Sequence, residues 1–377
     1  MMSSFKNVSE EVKFGYESAP YPWETINELA VYVEKEGFDS FWMPDHTVGF
    51  GIRNWDSLEA WSFLSAIALK TTRIRLGTCV SDTYRHHPAV LAQMATTCDI
   101  VSNGRAILGI GIGEAMNLNP YGITWDKPVS RTIDALHVIK RLWTEDIVDY
   151  YGPYYKLQRA FLQPKPVQQP HVPIFIAGNS PRTMRMVAEF GDGWVPASMQ
   201  PDEYREKLRY VFDEASKSGR FWDGMGWDMR PEIEPALFIY VVIAKDYDTA
   251  RQLVLLPAKM YLLSRPRIIE RLGYSVPTRE FDMTESLVFN VEVGDRLLAK
   301  AKEIPDEVVD KSPIIFGSPD DVIGKIEKYV DAGVRHFITP FFVSPRIMEE
   351  TCSLFAEKVI SYFKHARQIK EIEGLKT

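Results

Sequence analysis

Long apolar runs are missing from this chain: no stretch of its 377 residues approaches the ~18 consecutive apolar residues that mark a membrane-spanning helix. The opening segment, MMSSFKNVSEEVKFGY, has no apolar core flanked by basic residues, so export is not expected and a cytoplasmic location is. Cysteine is scarce. Cys79, Cys98 and Cys352 show neither paired spacing nor an accompanying histidine pattern, which argues against a disulfide framework and a zinc site, and no metal is expected. A basic excess is missing too: 44 Lys and Arg against 51 Asp and Glu leave a formal charge of −7, the wrong sign for a binder of nucleic-acid phosphates. Net charge does not describe an individual cleft, so a basic pocket for one anionic cofactor remains compatible with it.

What is present is an ordinary globular composition, 45% hydrophobic and 25% charged, rich in Trp, Tyr and Phe. A (β/α)8 barrel of about 250 residues reaches this length with insertions. β-Branched and aromatic runs at residues 12–16, 38–44, 74–80, 105–113, 173–178, 193–197, 236–244 and 336–340 read as eight strands. Segments of helical period alternate with them: 22–36, closed by Gly37 at a left-handed cap position; 55–70; one from Pro88 with Leu91, Met94, Cys98 and Val101 on one face; and 129–143. Others start at Pro181, span 201–219 and 319–332, and start again near Pro345. Residues 148–157 resemble a small hairpin around Gly152-Pro153 outside the barrel, and 162–173 a proline-rich surface connection. Between about 264 and 315 the alternation breaks down, which predicts an insertion with short helices between strand seven and helix eight. The fold expected is α/β, a TIM (β/α)8 barrel forming one domain over residues 1–377.

Active sites of such barrels lie at the C-terminal ends of the strands. Strand two ends in Pro44-Asp45-His46, an acid beside an imidazole that titrates near neutrality. A surface histidine beside a capping aspartate fits the same residues, and both readings stay open. His86 and His87 diverge as neighbours and read as solvated or structural. In strand four Gly109, Gly111 and Gly113 alternate with Ile110 and Ile112, leaving one face bare for another backbone or a planar ring. The dinucleotide fingerprint is absent, because Glu114 stands where its third glycine belongs. A carboxyl buried at the barrel mouth has its pKa raised and serves as a proton donor, which makes Glu114 the second catalytic candidate. Gly178-Asn179-Ser180-Pro181 joins strand five to a helix, with Ser180 as N-cap, and amides aimed at the mouth suit a phosphate. Plain capping explains that segment equally well, and Arg182 and Arg185 sharpen it little.

Taken together, Phe14-Gly15-Tyr16, Gly37-Phe38-Asp39-Ser40 leading to Asp45-His46, Leu76-Gly77-Thr78-Cys79-Val80, Pro88-Ala89-Val90 and Gly111-Ile112-Gly113-Glu114-Ala115-Met116-Asn117 resemble the coenzyme F420 (deazaflavin)-dependent branch of the luciferase-like superfamily. Gly191-Asp192-Gly193 and Gly317-Ser318-Pro319-Asp320 extend the resemblance over nearly the whole chain; the branch includes methylenetetrahydromethanopterin reductase, phthiodiolone ketoreductase and F420-dependent glucose-6-phosphate dehydrogenase types, and several stretches resemble the ketoreductase type. The resemblance implies a reductase or dehydrogenase that exchanges a hydride between the deazaflavin and a carbonyl, imine-like or alcohol carbon, working as a homodimer on a small molecule. It places His46 and Glu114 as proton-handling residues and Asp45 and Asn117 beside the coenzyme. Cys79 and Val80 become a non-prolyl cis peptide behind the ring, and Gly178, Asn179 and Ser180 the phosphate loop. A monooxygenase using FMN on the same fold is the rival reading, and a non-catalytic flavin carrier a third. Members acting on sugar phosphate or simple alcohols carry a tryptophan where this chain has Val48-Gly49-Phe50 and a glutamate near Tyr21, so their substrates are not carried over.

Overall fold

A computed structural model describes residues 11–18, 21–48, 57–217, 233–283, 290–341 and 343–365. The expected helix start at 55–56, the helix end at 218–219, and Gly49 and Phe50 lie outside the described residues.

Eight parallel strands close into a barrel. They are β1 (Lys13–Glu17), β2 (Ser40–Met43), β3 (Arg75–Thr78), β4 (Ala106–Ile110), β7 (Ile174–Ile176), β8 (Gly193–Trp194), β9 (Glu234–Phe238) and β12 (His336–Thr339). Each pairs with the next in chain order among the eight, and β12 closes onto β1 with Phe14 opposite Phe337. The hairpin β5 (Val148–Tyr151) and β6 (Lys156–Ala160) is antiparallel and pairs only with itself, as its Gly152-Pro153 turn implied. Helices occupy the expected connections, among them Trp23–Lys35, Pro88–Val101, Pro128–Thr144 and Pro181–Phe190. Gly37 has φ +93°, the left-handed conformation that ends the first of these at little steric cost. No helix among the described residues is long and apolar enough to cross a membrane.

One strand departs from expectation. The apolar run 236–244 is two elements: β9 ends at Phe238, and β10 (Val241–Ile243) leaves the barrel to pair with β11 (Ile315–Gly317). A run without alternation carries no mark of where the chain turns away, so the sequence pattern reads as one strand. Between β10 and β11 come helices Tyr247–Ser264, Pro266–Arg271, Val291–Ala301 and Asp306–Lys311. Their buried residues, including Val254, Leu262 and Leu297, form with Phe316 of β11 an apolar cluster separate from the main core. The segment 264–315 thus carries short helices joined by irregular stretches such as 272–283, and its residues Arg265, Arg267, Met283 and Leu297 line the cavity at the C-terminal end of the barrel.

The barrel bore is filled by a third cluster built around Trp42, Ile107, Phe175, Val195, Ala236 and Ile338. Trp42 is fully buried and needs bare backbone beside it: a Cβ on Gly77 would lie 2.5 Å from its ring. Burying such a side chain contributes about 1.5–3 kcal/mol, and strand glycine is the condition for fitting it. Below it, Lys13, Glu234, His336 and Ser40 form a hydrogen-bonded chain ending at Trp42 Nε1, all at the N-terminal ends of the strands.

Candidate active site

All eight barrel strands contribute to one cavity of about 1160 Å³ at their C-terminal ends. Glu17, Asp45, Cys79, Gly111, Ala177, Val195, Phe238 and Pro340 each lie at or just past a different strand end and line it. His46, Val80, Glu114, Asn117, Gly178, Asn179 and Ser180 line it too, so every residue singled out as catalytic or cofactor-binding faces one space.

The floor owes its shape to strand four. The Cys79–Val80 peptide is cis, and Ser81 just beyond it bridges to Ile110 of β4. Thr78 Oγ1 and Ser81 N both donate to the Gly109 carbonyl, and Gly111 N donates to Ser81 O. A Cβ on Gly109 would sit 1.7 Å from Thr78 O and one on Gly111 2.7 Å from Val80 Cγ2. The bare face of the glycine run therefore receives a neighbouring backbone, one of the two occupants the alternation allowed. Gly109→Ala is expected to cost at least the 1–3 kcal/mol typical of overpacking, because backbone rather than a flexible side-chain tip must move. A thermal unfolding midpoint equal to wild type contradicts this packing.

His46 and Glu114 meet across the cavity: Nε2 lies 3.6 Å from Oε2. Burial, opposed by Glu114, lowers the imidazole pKa, and Arg85 and Arg265 add to the lowering. At neutral pH His46 is therefore mainly uncharged. The other Glu114 oxygen faces Arg265 Nη2 at 3.4 Å. For Arg265, burial works against the charge, but Glu114, then Tyr261, Tyr240 and Asp282, outweigh it and hold the guanidinium above its usual value.

The loop bearing His46 is gripped on both sides. Arg85 donates to the Asp45 carbonyl at 2.5 Å, to Asp45 Oδ1 at 3.2 Å and to Thr47 Oγ1 at 3.4 Å, while its Nε binds Asp82 at 2.6 Å. Asn117 Oδ1 accepts from Thr47 N at 3.0 Å. Asp45 and Asn117, each 3% exposed, thus hold the backbone beside the imidazole. Asp45 also brings a ligand atom within 4.8 Å of Glu59 and His86, but it faces Arg85, and both Glu59 oxygens accept helix amides.

At the helix after β7, Ser180 and Thr183 form a reciprocal capping box, which takes up two amides that the sequence left free for an anion. Gly178, at φ +149°, leaves no room for a Cβ, which would meet Thr183 at 2.3 Å. Asn179 Oδ1 is buried in the wall without a hydrogen-bond partner, and its carbonyl accepts from Lys207 at 2.8 Å. Arg182 and Arg185 do not line the cavity; they bind Ser130 and Tyr210 on neighbouring helices. His87 caps its own helix through Ala89 N.

Three further residues contribute to the site. Glu17 is 7% exposed at the end of β1, and burial pushes its carboxyl well above the usual range. It is a strand-end acid, so the rule applied to the other strands points to it. Arg85 and Arg265 have no local pattern; each finds its partner only through folding.

Residues 8–336 match the profile of the family described as luciferase-like monooxygenase. The chain belongs to that family. It is an oxidoreductase on a luciferase-like barrel. This luciferase-like chain is 30% identical over 358 residues to 5,10-methylenetetrahydromethanopterin reductase of Archaeoglobus fulgidus, covering 94% of itself and 100% of that relative. It is 28% identical over 360 residues to phthiodiolone/phenolphthiodiolone dimycocerosates ketoreductase of Mycobacterium tuberculosis, covering 89% and 91%. Among solved structures, an F420-dependent secondary alcohol dehydrogenase in complex with an F420-acetone adduct superposes with a TM-score of 0.76 at 22% identity, over 93% of this chain and 98% of that one.

Proposed function

We propose that this protein is an F420-dependent oxidoreductase that transfers a hydride from the reduced deazaflavin to a carbonyl or imine-like carbon, or from an alcohol carbon to the oxidised form. The observation that carries the reading is the meeting of His46 and Glu114 above a backbone-built floor, in a cavity to which all eight strands contribute. The names of the relatives support deazaflavin: the solved dehydrogenase is described with F420. The family description as a monooxygenase supports the second reading, reduced FMN with oxygen.

The residues fit a planar cofactor with a polar tail. Val80, Ala177, Val195 and Phe238 offer an apolar bed for a ring, and the buried Asn179 oxygen asks for a donor such as a ribityl-type hydroxyl. When bound, the coenzyme supplies the hydride chemistry. The protein's share is orientation and proton supply. His46, uncharged at neutrality, accepts a proton or a hydrogen bond. Glu17, whose carboxyl burial shifts well above its usual range, is suited to give one to the oxygen of a carbonyl being reduced. Glu114, 3.6 Å from the imidazole, shares the proton handling with His46 and balances Arg265. Arg85 and Asn117 hold the His46 loop in register.

Titration of the purified protein with oxidised F420 and with FMN, followed by absorbance and fluorescence, tests the assignment. F420 is expected to bind at least about tenfold more tightly, a difference of ~1.4 kcal/mol; a preference for FMN hands the site to the monooxygenase reading. The same proposal takes the working form to be a cytoplasmic homodimer acting on a small molecule, without nucleic-acid or membrane partners. Sedimentation at micromolar concentration reads the oligomeric state.

A further inference from the structure

Helix Tyr247–Ser264 carries apolar residues on two adjacent faces. Ala250, Val254, Ala258 and Leu262, four residues apart, are buried in the cluster formed with the insertion. A second stripe, Leu253, Leu256, Pro257 and Met260, falls at the spacing i, i+3, i+4, i+7 and lines the cavity. Leu256 remains 37% exposed although the opposite face of its helix is core. Met283 and Leu297 continue the same wall. The charged side chains of the helix-end wall, Arg265 and Arg267, lie beyond the stripe, and Arg265 is engaged by Glu114. The cavity of about 1160 Å³ is thus bounded by the strand-end groups on one side and, apart from Gln252 and the two arginines, by hydrocarbon on the other.

We infer that this stripe is the acceptor subsite, and that the acceptor is a carbonyl compound with an extended apolar body, such as a long-chain or bulky alicyclic ketone. An ionic or heavily hydroxylated acceptor would surrender its hydration against Leu253, Leu256 and Met260 without receiving hydrogen bonds in return. An alkyl chain gains by the same contact, and it covers the apolar surface that the folded chain leaves open. The inference rests on the oxidoreductase reading for which end of the acceptor faces His46, while the subsite itself rests on the wall.

The test is calorimetric binding of 2-alkanones from 2-pentanone to 2-undecanone to the full chain, with and without saturating F420. Dihydroxyacetone phosphate serves as the ionic comparison. Kd is expected to fall by about fourfold per added methylene over several members of the series. In Leu256→Ser and Met260→Gln, both at partly exposed positions, the slope should flatten. A flat series in wild type, tighter binding of the phosphate, or a slope that survives unchanged in both variants overturns the subsite. F420 affinity is measured separately. A chain-length slope without F420 binding removes the coenzyme assignment and leaves the acceptor class standing; F420 binding with no slope does the reverse.

Discussion

Replacing Glu114 by glutamine is expected to lower hydride-transfer turnover by about two to four orders of magnitude, the range associated with loss of a positioned proton-handling group, while F420 affinity changes little. Glutamine keeps the size of the side chain but carries neither charge nor a transferable proton. Both neighbours feel the change, since one oxygen of Glu114 lies 3.6 Å from His46 and the other 3.4 Å from Arg265. The pH profile gives a second readout with a defined sign. Burial lowers the His46 pKa and the negative charge of Glu114 raises it, so removing that charge drives it lower still. The limb of the kcat/KM profile that belongs to His46 should move to more acidic pH in the variant. Turnover within threefold of wild type across the whole pH range would take Glu114 out of the chemistry. A limb that moves towards alkaline pH would show that the two groups are not coupled as their geometry requires.

The largest effect on stability is expected from Glu234→Ala, at the opposite end of the barrel from the cavity. Glu234 accepts from Lys13 Nζ at 2.9 Å and is bonded to His336 Nδ1 at 2.7 Å, and His336 Nε2 is bonded to Ser40 at 2.7 Å. His336 is wholly buried, so alanine strands an imidazole with an open bonding site inside the barrel. Breaking such a pair from one side costs about 3 kcal/mol or more, read as a lower urea midpoint at unchanged slope. Burial by itself raises the Glu234 carboxyl pKa, but His336 and Lys13 outweigh burial and hold it far below the usual carboxylate range. Its folded value is thus depressed below an unfolded value of about 4.3. The stabilisation is complete above that pH and disappears as the pH falls through the folded value. Wild type and variant should accordingly differ most near neutrality and converge in acid. A difference that persists undiminished in strong acid assigns the loss to packing rather than to charge.

Much of the barrel was written locally. Residues 12–16 and 336–340 could be read as strands because β-branched and aromatic residues crowd into short runs, and Gly37 marked a helix end because it alone is cheap in the left-handed conformation its position demands. The run 236–244 misled for the same physical reason that makes buried strands easy to find. When every residue is apolar, nothing distinguishes the part that stays in the barrel from the part that leaves it for β11. The capping residues at 178–183 were legible, yet the sequence had no means of showing that Thr183 would take up the Ser180 amide. Glu17 lies within reach of the strand-end rule, but a single acid after an apolar strand looks like any other solvated turn.

The order of strands and helices, and hence which residues sit at strand ends, follows from short-range steric preferences and from periodicity, and both are properties of neighbouring residues. Asp45, His46, Cys79 and Glu114 could be placed at the mouth of a barrel on that basis alone. Which of them touch could not. The approach of Glu114 to His46, its pairing with Arg265 from 151 residues away, and the hold of Arg85 on Asp45 from 40 away arise only when the closed sheet and the helical insertion bring distant segments together. Electrostatic partners and burial act through space, with no dependence on separation along the chain. The shifts of Glu17, His46 and Arg265 at the cavity are therefore set by the folded molecule.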